Sequence, residues 1–303
     1  MTSEHAALRD SVRGLVTAHG GDDGLWARLC REIGVAGLTV PERYGGSGAG
    51  LTEAMIVLEE LGRALIAGPM LGTVLATEAL LHAGDDTLLP AVCAGDRIVA
   101  LAWDSPAPGV FRDVLDLPEA DTLLVVTGGN LYEANPSTVT MQPTLDPTRH
   151  PASLSVDSLR LIGPGVPVER LRDVACLALA AEQVGAAERA LELTVDHVKS
   201  RYQFGRPIGS FQVLQHRLAE LYVRVEAARS ACAVSPAVAK ITCSETLRAV
   251  AADMVQMHGG LAITWEHHAH LYLRRAWASA ELFGSPAHHL ARLTATHGSA
   301  PVA

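Results

Sequence analysis

The residue types best suited to binding chemistry cluster in one short polar segment, Arg201–Gln212. It holds two arginines, two glutamines, two glycines and a proline, which is more polar groups than a helix connection requires. Arginine side chains, together with the backbone N–H groups that open the next helix, suit the oxygens of a phosphate. The segment therefore favours an anion-binding turn, and a solvated turn between helices is the alternative.

A second candidate is the glycine-rich segment Gln256–Glu266, which follows another long helical pattern. The pair Gly259 and Gly260 lacks side chains, so a ligand can approach the backbone closely there. Glycine is also the most common residue to end a helix, so a simple helix stop is the other interpretation.

Clustered histidines are considered as metal ligands and set aside. They have no glutamate in an H-E-x-x-H arrangement and no cysteine partner, so their spacing is unspecific for zinc. Solvated or interface histidines are the preferred interpretation, and no metal site is predicted. The residues concerned are His267, His268, His270, His288 and His289.

Three glutamates on one helical pattern, Glu182, Glu188 and Glu192, lie near Arg189. Charge pairs three or four residues apart are routine on helix surfaces, and a catalytic role for Glu182 is the minor alternative. A glycine cluster at 45–50 has no G-x-G-x-x-G spacing and no surrounding β-α-β alternation, so it predicts a flexible loop and not a dinucleotide site.

Composition excludes several classes of protein. The 303 residues are 49% hydrophobic and 19% charged, as in an ordinary globular protein, and the formal charge is −9 with no basic patch for nucleic acid. Five cysteines without a C-x-x-C motif indicate neither a disulfide framework nor zinc, and favour a reducing cytoplasm. The N-terminus is unlike a signal peptide and no run of 18 apolar residues occurs, so we expect a soluble, cytoplasmic protein without a membrane partner.

The elements that must position these segments fall into three regions, which predicts an α+β protein. Residues 1–96 show helical apolar spacing broken by glycine and proline, as in a bundle of four or five helices. Residues 97–165 hold short runs typical of an antiparallel sandwich or barrel, and residues 166–303 return to helices. The predicted strand runs are Ile98–Ala102, Thr122–Thr127, Thr138–Met141 and Ser153–Val156.

Breaks in the third region predict where its helices begin and end. Helical spacing runs over Leu171–Arg201 and over Phe211–Ala233, and Ser235-Pro236 interrupts it. Ser244-Glu245 is expected to restart the pattern, and Gly259-Gly260 to end it.

Read together, these segments resemble the acyl-CoA dehydrogenase family. The matching stretches occur in the same order as in the family, from about residue 25 to residue 290. The Arg201 and Gln256 segments are specific to the family when they occur as a pair. Smaller details are similar to the short acyl-CoA dehydrogenase-like proteins of actinobacterial fatty-acid and steroid catabolism. The other matching stretches are Gly37–Gly46, Leu58–Gly62, Pro118–Asp121, Leu145–Arg149 and Leu282–Ser285.

The resemblance implies an N-terminal helical domain, a small middle β-domain and a C-terminal four-helix bundle, assembled as a dimer or a dimer of dimers. It also implies FAD, an acyl-CoA substrate whose α,β bond is dehydrogenated, and an electron-transferring flavoprotein as the partner that reoxidises the flavin. Residue by residue, FAD would be contacted by Arg201, Gln203, Phe204 and Gln212, and from the other subunit by Gln256, Gly259 and Gly260.

The sequence departs from the family where the catalytic base belongs. The usual position near the C-terminus falls on Phe283, and the alternative position falls on about Ala175. Neither side chain accepts a proton, which leaves Glu281, two residues away, as the candidate base if the register differs. The family's flavin-ring stretch is reduced to fragments at residues 103–108, where Trp103 and Ser105 are the candidate ring contacts.

Three hypotheses follow from these departures. The chain is an active flavoenzyme whose base is Glu281 or an unassigned residue. Alternatively, it is a non-catalytic subunit that contributes half of a shared FAD site to a homologous partner, so that homo- and hetero-oligomers both stay open. The third is an acyl-CoA-binding or biosynthetic homologue that has lost dehydrogenation.

Overall fold

The computed structural model describes residues 2–103 and 107–297. Contacts divide the chain into two compact units, one of Met1–Glu60 with Ile66–Ala178 and one of Leu61–Leu65 with Leu179–Ala303. We keep the three-region boundaries 1–96, 97–165 and 166–303 as a proposal. The α-helices are α1 (Ser3–His19), α2 (Leu25–Ile33), α3 (Leu51–Arg63), α4 (Met70–Ala83), α5 (Leu89–Ala94), α6 (Val168–Ser200), α7 (Gln212–Ala231), α8 (Pro236–His258), α9 (Ala269–Glu281) and α10 (Pro286–His297).

The N-terminal region forms five α-helices among the described residues, which confirms the expected four or five. Local caps set their ends: the Thr2 hydroxyl accepts from the N–H of His5 at the start of α1, and Gly34 ends α2 in the left-handed conformation. Helix α4 is apolar on nearly all sides and lies in the core of the first unit, as its burial from Met70 to Leu80 shows.

The glycine cluster before α3 is a hydrogen-bonded loop and not a loose one. The N–H of Ser47 donates to Gly37 O at 3.0 Å, and the N–H of Gly48 donates to Val40 O at 2.8 Å. A Cβ at Gly46 would lie 2.0 Å from Val40 O, so only glycine fits there. The expectation of a flexible loop is therefore wrong, because close backbone packing and not mobility selects the glycine.

The middle region forms one five-stranded sheet in the order β1-β3-β4-β5-β2 within the described residues. Alternating apolar side chains of these strands make a small core that includes Phe111, Leu123 and Leu154. The strands are β1 (Val99–Ala102), β2 (Val110–Val114), β3 (Thr122–Thr127), β4 (Asn130–Met141) and β5 (Ala152–Pro164).

The sheet is mixed, which differs from the expected antiparallel sandwich or barrel. Strands β1 and β3 pair in parallel, with Val99 opposite Thr122, while the remaining pairs are antiparallel. Strand β2, which no apolar run predicted, is bulged between Phe111 and Val114, and Asp113 has a positive φ of 53°. An irregular strand of this kind lacks the alternation that sequence patterns detect.

The second unit is a helical bundle. Its core is formed by the facing sides of α6, α7, α8 and α9, with Leu191, Leu221, Leu247 and Tyr272 among the buried residues. The core confirms the expected four-helix bundle, and α10 packs against α8. No described helix is long and apolar enough to cross a membrane.

Helix α8 begins earlier than the sequence predicted. The Ser235 hydroxyl accepts from the N–H of Val238 at 3.2 Å, and Pro236 occupies the first helical turn. The expected restart at Ser244-Glu245 is therefore wrong, because Ser235-Pro236 is the start of the helix and not a break followed by a gap. The end at His258, just before Gly259-Gly260, is confirmed.

Candidate functional site

The Arg201 segment folds as a tight hairpin between α6 and α7. Two-residue strands β6 (Tyr202–Gln203) and β7 (Arg206–Pro207) pair across Phe204 and Gly205, whose φ angles are 54° and 78°. Two successive positive φ values are typical of the two-residue hairpin turns that suit twisted strands. The N–H of Ile208 donates to Arg201 O at 2.8 Å and closes the hairpin.

Most side chains of this hairpin face solvent. Arg201, Gln203 and Gln212 are exposed, and Phe204 is 90% exposed. The guanidinium of Arg206 stacks on the Phe211 ring at 4.0 Å, whereas the side chain of Arg201 has no hydrogen bond or salt bridge among the described residues. Arg201 is therefore a charged donor left available to a ligand.

The Gly259-Gly260 turn at the end of α8 is also open. Gly259 has φ 62° and ψ −139°, a conformation that favours glycine. A Cβ at either Gly259 or Gly260 would meet no atom within 4 Å, and both residues are exposed, as is Gln256. A ligand can therefore approach this backbone, and the polar groups beside it, without displacing protein atoms.

Three stacked histidines bring the two segments together within one chain. The ring of His197, one helical turn before Arg201, lies 4.0 Å from the ring of His258. His258 directly precedes Gly259 and lies 4.4 Å from the ring of His267. In the sequence, His267 is considered as a metal ligand and His258 lies unremarked within the Gln256–Glu266 segment, while His197 belongs to no motif. No local pattern indicates their contact, because they come from parts of the chain far apart in sequence.

Hydrogen bonds fix the protonation pattern of the stack. His258 Nδ1 donates to Met254 O at 2.8 Å, and His267 Nδ1 accepts from the N–H of Ala269 at 3.1 Å, at the start of α9. Burial lowers the pKa of His258 to about 4, and His197 and His267 contribute to the shift. Burial also lowers the pKa of His197, with His267 and Arg201 adding to the effect. The rings are therefore neutral at neutral pH.

The two positions at which the resemblance places the base hold no proton acceptor. Ala175 is fully buried in α6. Phe283 lies in the turn after α9 with φ 59°, and its carbonyl accepts from His289 Nε2 at 3.0 Å. A phenyl ring and a methyl group have no lone pair for an α-proton, so no base is present at either position.

Glu281, the alternative base, lies on the exterior of the bundle. Its Oε1 accepts from Arg248 at 2.9 Å, and its side chain is 65% exposed. The same guanidinium lies 4.5 Å from the Trp277 ring. Because α9 has 13 residues, Glu281 is about 20 Å along the helix from the histidine stack.

Glu182 has a structural partner. Its Oε1 accepts from Arg275 at 2.9 Å, and both side chains are almost fully buried. A second Arg275 nitrogen donates to Leu65 O at 3.3 Å. A carboxylate held this way has a structural partner that is costly to remove, and its lone pairs are not free for a substrate.

Glu188 and Glu192, the other two candidate glutamates, belong to an ion-pair network. Glu188 pairs with Arg63 and Arg229, and Glu192 pairs with Arg63 and Arg189. Among residues 2–103 and 107–297, no three histidine, cysteine, aspartate or glutamate side chains are grouped as metal ligands.

One candidate ring contact is visible in the first unit. The Trp103 ring is half-buried, and the Arg172 guanidinium lies 5.8 Å from its centre. Ser105, the other candidate, lies outside the described residues. The contact of either residue, Trp103 or Ser105, with a flavin ring stays a prediction.

Comparison with known proteins decides the family. The model of the acyl-CoA dehydrogenase N-terminal domain matches residues 2–96, and the model of the acyl-CoA dehydrogenase C-terminal domain matches residues 170–296. A curated protein named acyl-CoA dehydrogenase IpdE2, from Mycobacterium tuberculosis, is 43% identical over 96% of both chains. The chain belongs to the acyl-CoA dehydrogenase family.

Other family members match over nearly the whole chain. The protein of the same name from Mycolicibacterium smegmatis is 41% identical over 97% of this chain and 99% of its own. Among solved structures, the ChsE4-ChsE5 complex from Mycobacterium tuberculosis gives a TM-score of 0.90 at 25% identity, covering 100% of this chain and 99% of that chain. The Tcur3481-Tcur3483 steroid ACAD gives 0.86 at 26% identity, covering 98% and 99%.

The acyl-CoA dehydrogenase family uses FAD, and the residues of this chain fit the diphosphate end of that cofactor. An exposed arginine side chain and an open glycine turn both suit a diphosphate, and each follows a histidine of the stack along the chain: Arg201 comes one helical turn after His197, and Gly259 directly after His258.

Proposed function

We propose that this chain is a subunit of a heteromeric, FAD-dependent acyl-CoA dehydrogenase that contributes half of the cofactor site and no catalytic base. The observation that carries the proposal is a contrast within the chain. Arg201 and Gly259-Gly260 are open for a ligand, while Phe283 and Ala175 stand at the two positions where the resemblance leads us to expect the base. A subunit that serves binding and assembly must retain Arg201 and the glycine turn, but it can lose the catalytic base.

In this proposal the chain's own residues hold the cofactor by its diphosphate end. The Arg201 guanidinium donates charge-assisted hydrogen bonds to phosphate oxygens, and the N–H groups beside Gly259 and Gly260 donate from the backbone. Gln203, Phe204 and Gln212 line the same hairpin and are exposed to a ligand or to a neighbouring subunit. When bound, the flavin supplies the acceptor for the hydride that leaves the β-carbon of the substrate.

Removal of the α-proton then depends on a carboxylate from a homologous partner chain. Loss of a positioned base costs about 10²- to 10⁴-fold in rate, so this chain alone is expected to be a poor dehydrogenase. The neutral histidine stack holds the end of α6, the end of α8 and the start of α9 in one arrangement. The stack thereby orients the two cofactor-binding segments.

The proposed substrate is an acyl-CoA thioester, with a steroid-derived acyl group as the first class to test. Two whole-chain structural neighbours support this choice. The Tcur3481-Tcur3483 protein is a steroid ACAD, and ChsE4-ChsE5 is a complex of two components. An electron-transferring flavoprotein is the proposed electron acceptor, and the cytoplasm is the proposed location.

The second candidate function is an active enzyme that uses Glu281 as its base. Its support is the closeness of Glu281 to Phe283 in the sequence. Its weakness is the exposed ion pair with Arg248, which must break before Glu281 can accept a proton. An acyl-CoA-binding or biosynthetic homologue is the third, and it predicts no reduction of flavin with any partner.

The test is to express the chain alone and together with a homologous acyl-CoA dehydrogenase chain from the same organism. We expect the two chains to co-purify, with fewer than one flavin per chain in the complex. Flavin released by heat should be FAD, because Arg201 and the glycine turn address a diphosphate that FMN lacks. Release of FMN alone, or one flavin on each isolated chain, would contradict the shared-site proposal.

A further inference from the structure

Two cysteines that the cofactor site does not use lie side by side in the helical bundle. Cys232 directly follows Ala231, the last residue of α7, and Cys243 is the eighth residue of α8. Their sulfur atoms are 3.8 Å apart. Both sulfurs also lie near one carbonyl, Ala228 O, at 3.6 Å from Cys232 and 3.4 Å from Cys243.

The two thiols differ in exposure. Cys232 is half-buried, whereas Cys243 is 1% exposed. The hydrogen bond with Cys232, together with burial, raises the pKa of Cys243. Cys232 is therefore the thiol that a small oxidant reaches first, and Cys243 is the neighbour placed to react with the product.

The other cysteines provide an internal comparison. Cys30, Cys93 and Cys176 are buried in the first unit. Burial raises the pKa of Cys30 to about 12 and also raises the pKa of Cys93. Because all three side chains are buried, a small oxidant is expected to reach them more slowly than it reaches the half-buried Cys232.

We propose that Cys232 and Cys243 are a redox modification site, which forms a reversible intramolecular disulfide when the protein meets hydrogen peroxide. The inference is independent of the proposed function, because neither cysteine belongs to the cofactor-binding segments. It also differs from the expectation of no disulfide framework, since the pair is reduced in the structure and closes only on oxidation.

The chemistry proceeds in two balanced steps. The Cys232 sulfur attacks one peroxide oxygen, so an S–O bond forms, the O–O bond breaks, and water leaves with a sulfenic acid remaining. The Cys243 sulfur then attacks the Cys232 sulfur, so the S–S bond forms, the S–O bond breaks, and a second water leaves. Two thiols are oxidised by two electrons in total, and one peroxide is reduced to two waters.

The required movement is small. A disulfide bond is about 2.0 Å long, so the sulfurs must approach by about 1.8 Å from their 3.8 Å separation. Cys232 lies where α7 ends, and the connection to Ser235 is not helical, so side-chain and local backbone rotation can supply this. The bond would join α7 to α8 across their connection.

Trypsin provides a direct assay because Lys240 lies between the two cysteines. Cleavage after Arg229, Lys240 and Arg248 separates Cys232 and Cys243 into the peptides Ser230–Lys240 and Ile241–Arg248. The fully reduced protein is titrated with peroxide, then quenched, alkylated in denaturant and digested, while the oxidation of glutathione in a separate sample confirms that the peroxide is active. We expect these two peptides to be linked, the link to be lost with dithiothreitol, and three of the five cysteines to remain alkylated.

Two matched variants test the order of events. Cys232→Ser should abolish the linked peptides and leave Cys243 fully alkylated. Cys243→Ser should leave a sulfenic acid at Cys232 that dimedone traps. The proposal is overturned if all five cysteines of the parent protein remain alkylated, if Cys232 is oxidised further without linkage, or if Cys30, Cys93 or Cys176 is oxidised first.

Discussion

Two arginines of the helical bundle have opposite surroundings. Arg275 is 1% exposed, pairs with the buried Glu182 and donates to Leu65 O. Arg201 is exposed, its side chain has no ion pair or hydrogen bond among the described residues, and the Gly259-Gly260 turn is open. The charge of Arg275 is therefore paired within the protein, whereas the side chain of Arg201 is available to a ligand.

The difference separates structural charge from charge available for binding. A buried charge must be paired, since leaving it alone costs several kcal/mol. An exposed arginine carries no such requirement, so it can serve a diphosphate without weakening the fold. By the same criterion, the carboxylate of Glu281 is not available for binding, because Arg248 already pairs with it.

The largest expected effect comes from breaking the buried pair. Arg275→Met leaves the Glu182 carboxylate uncompensated, and we expect a loss of about 3 to 5 kcal/mol in the free energy of unfolding. Urea denaturation followed by circular dichroism measures it. The double variant Arg275→Met with Glu182→Leu is the control and should recover much of the loss, because both charges are gone. A cost below about 1 kcal/mol for the single variant would contradict a buried structural pair.

The second expected effect is a loss of stability in acid through the histidine stack. The folded pKa of His258 is about 4, below the ordinary value of about 6.5, so the unfolded chain binds the proton more tightly. The His258 contribution to stability is therefore complete above about pH 6.5 and is lost as pH falls towards about 4. We expect this contribution to be on the order of 2 kcal/mol.

Unfolding measured across this pH range, in parent and variant, isolates the contribution of the ring. His258→Phe keeps an aromatic ring in the stack but cannot take up a proton, so its stability should depend less on pH. The exposed His216→Gln is the matched control and should follow the parent. Identical pH dependence in the parent and the His258→Phe variant would show that the stack does not titrate.

The third effect concerns the open arginine. Arg201→Ala removes the charge-assisted hydrogen bonds to the diphosphate, and we expect FAD retention in the assembled complex to weaken about tenfold or more. Stability should be unchanged, because Arg201 has no internal partner to lose. Flavin dissociation, followed by fluorescence, measures the effect, and Arg224→Ala is the control for loss of one exposed positive charge. Equal FAD retention in parent and variant would contradict the cofactor assignment.

The smallest effect is expected at Glu281. Glu281→Gln removes one exposed ion pair with Arg248, which is worth about 1 kcal/mol or less. We expect unchanged flavin content and a melting temperature close to that of the parent. A large loss of stability would show that this pair is more than a surface contact.

Much of the fold could be predicted because local residues determine it. Strand β3 matches the predicted run, and Gly259-Gly260 ends α8 as expected. The start of α8 was misplaced because Ser235-Pro236 can equally break or begin a helix. The pairing of β1 with β3, and the stack of His197, His258 and His267, join residues far apart in the chain, so no local pattern indicates them.

The most direct test of the account is flavin bleaching by a panel of acyl-CoA thioesters, linear and steroid-derived, without added electron acceptor. The account predicts rapid bleaching by the complex with the homologous chain, at least about 10²-fold slower bleaching by this chain alone, and no effect of Glu281→Gln in the complex. Rapid bleaching by this chain alone, abolished by Glu281→Gln, would contradict the shared-site account and identify Glu281 as the base.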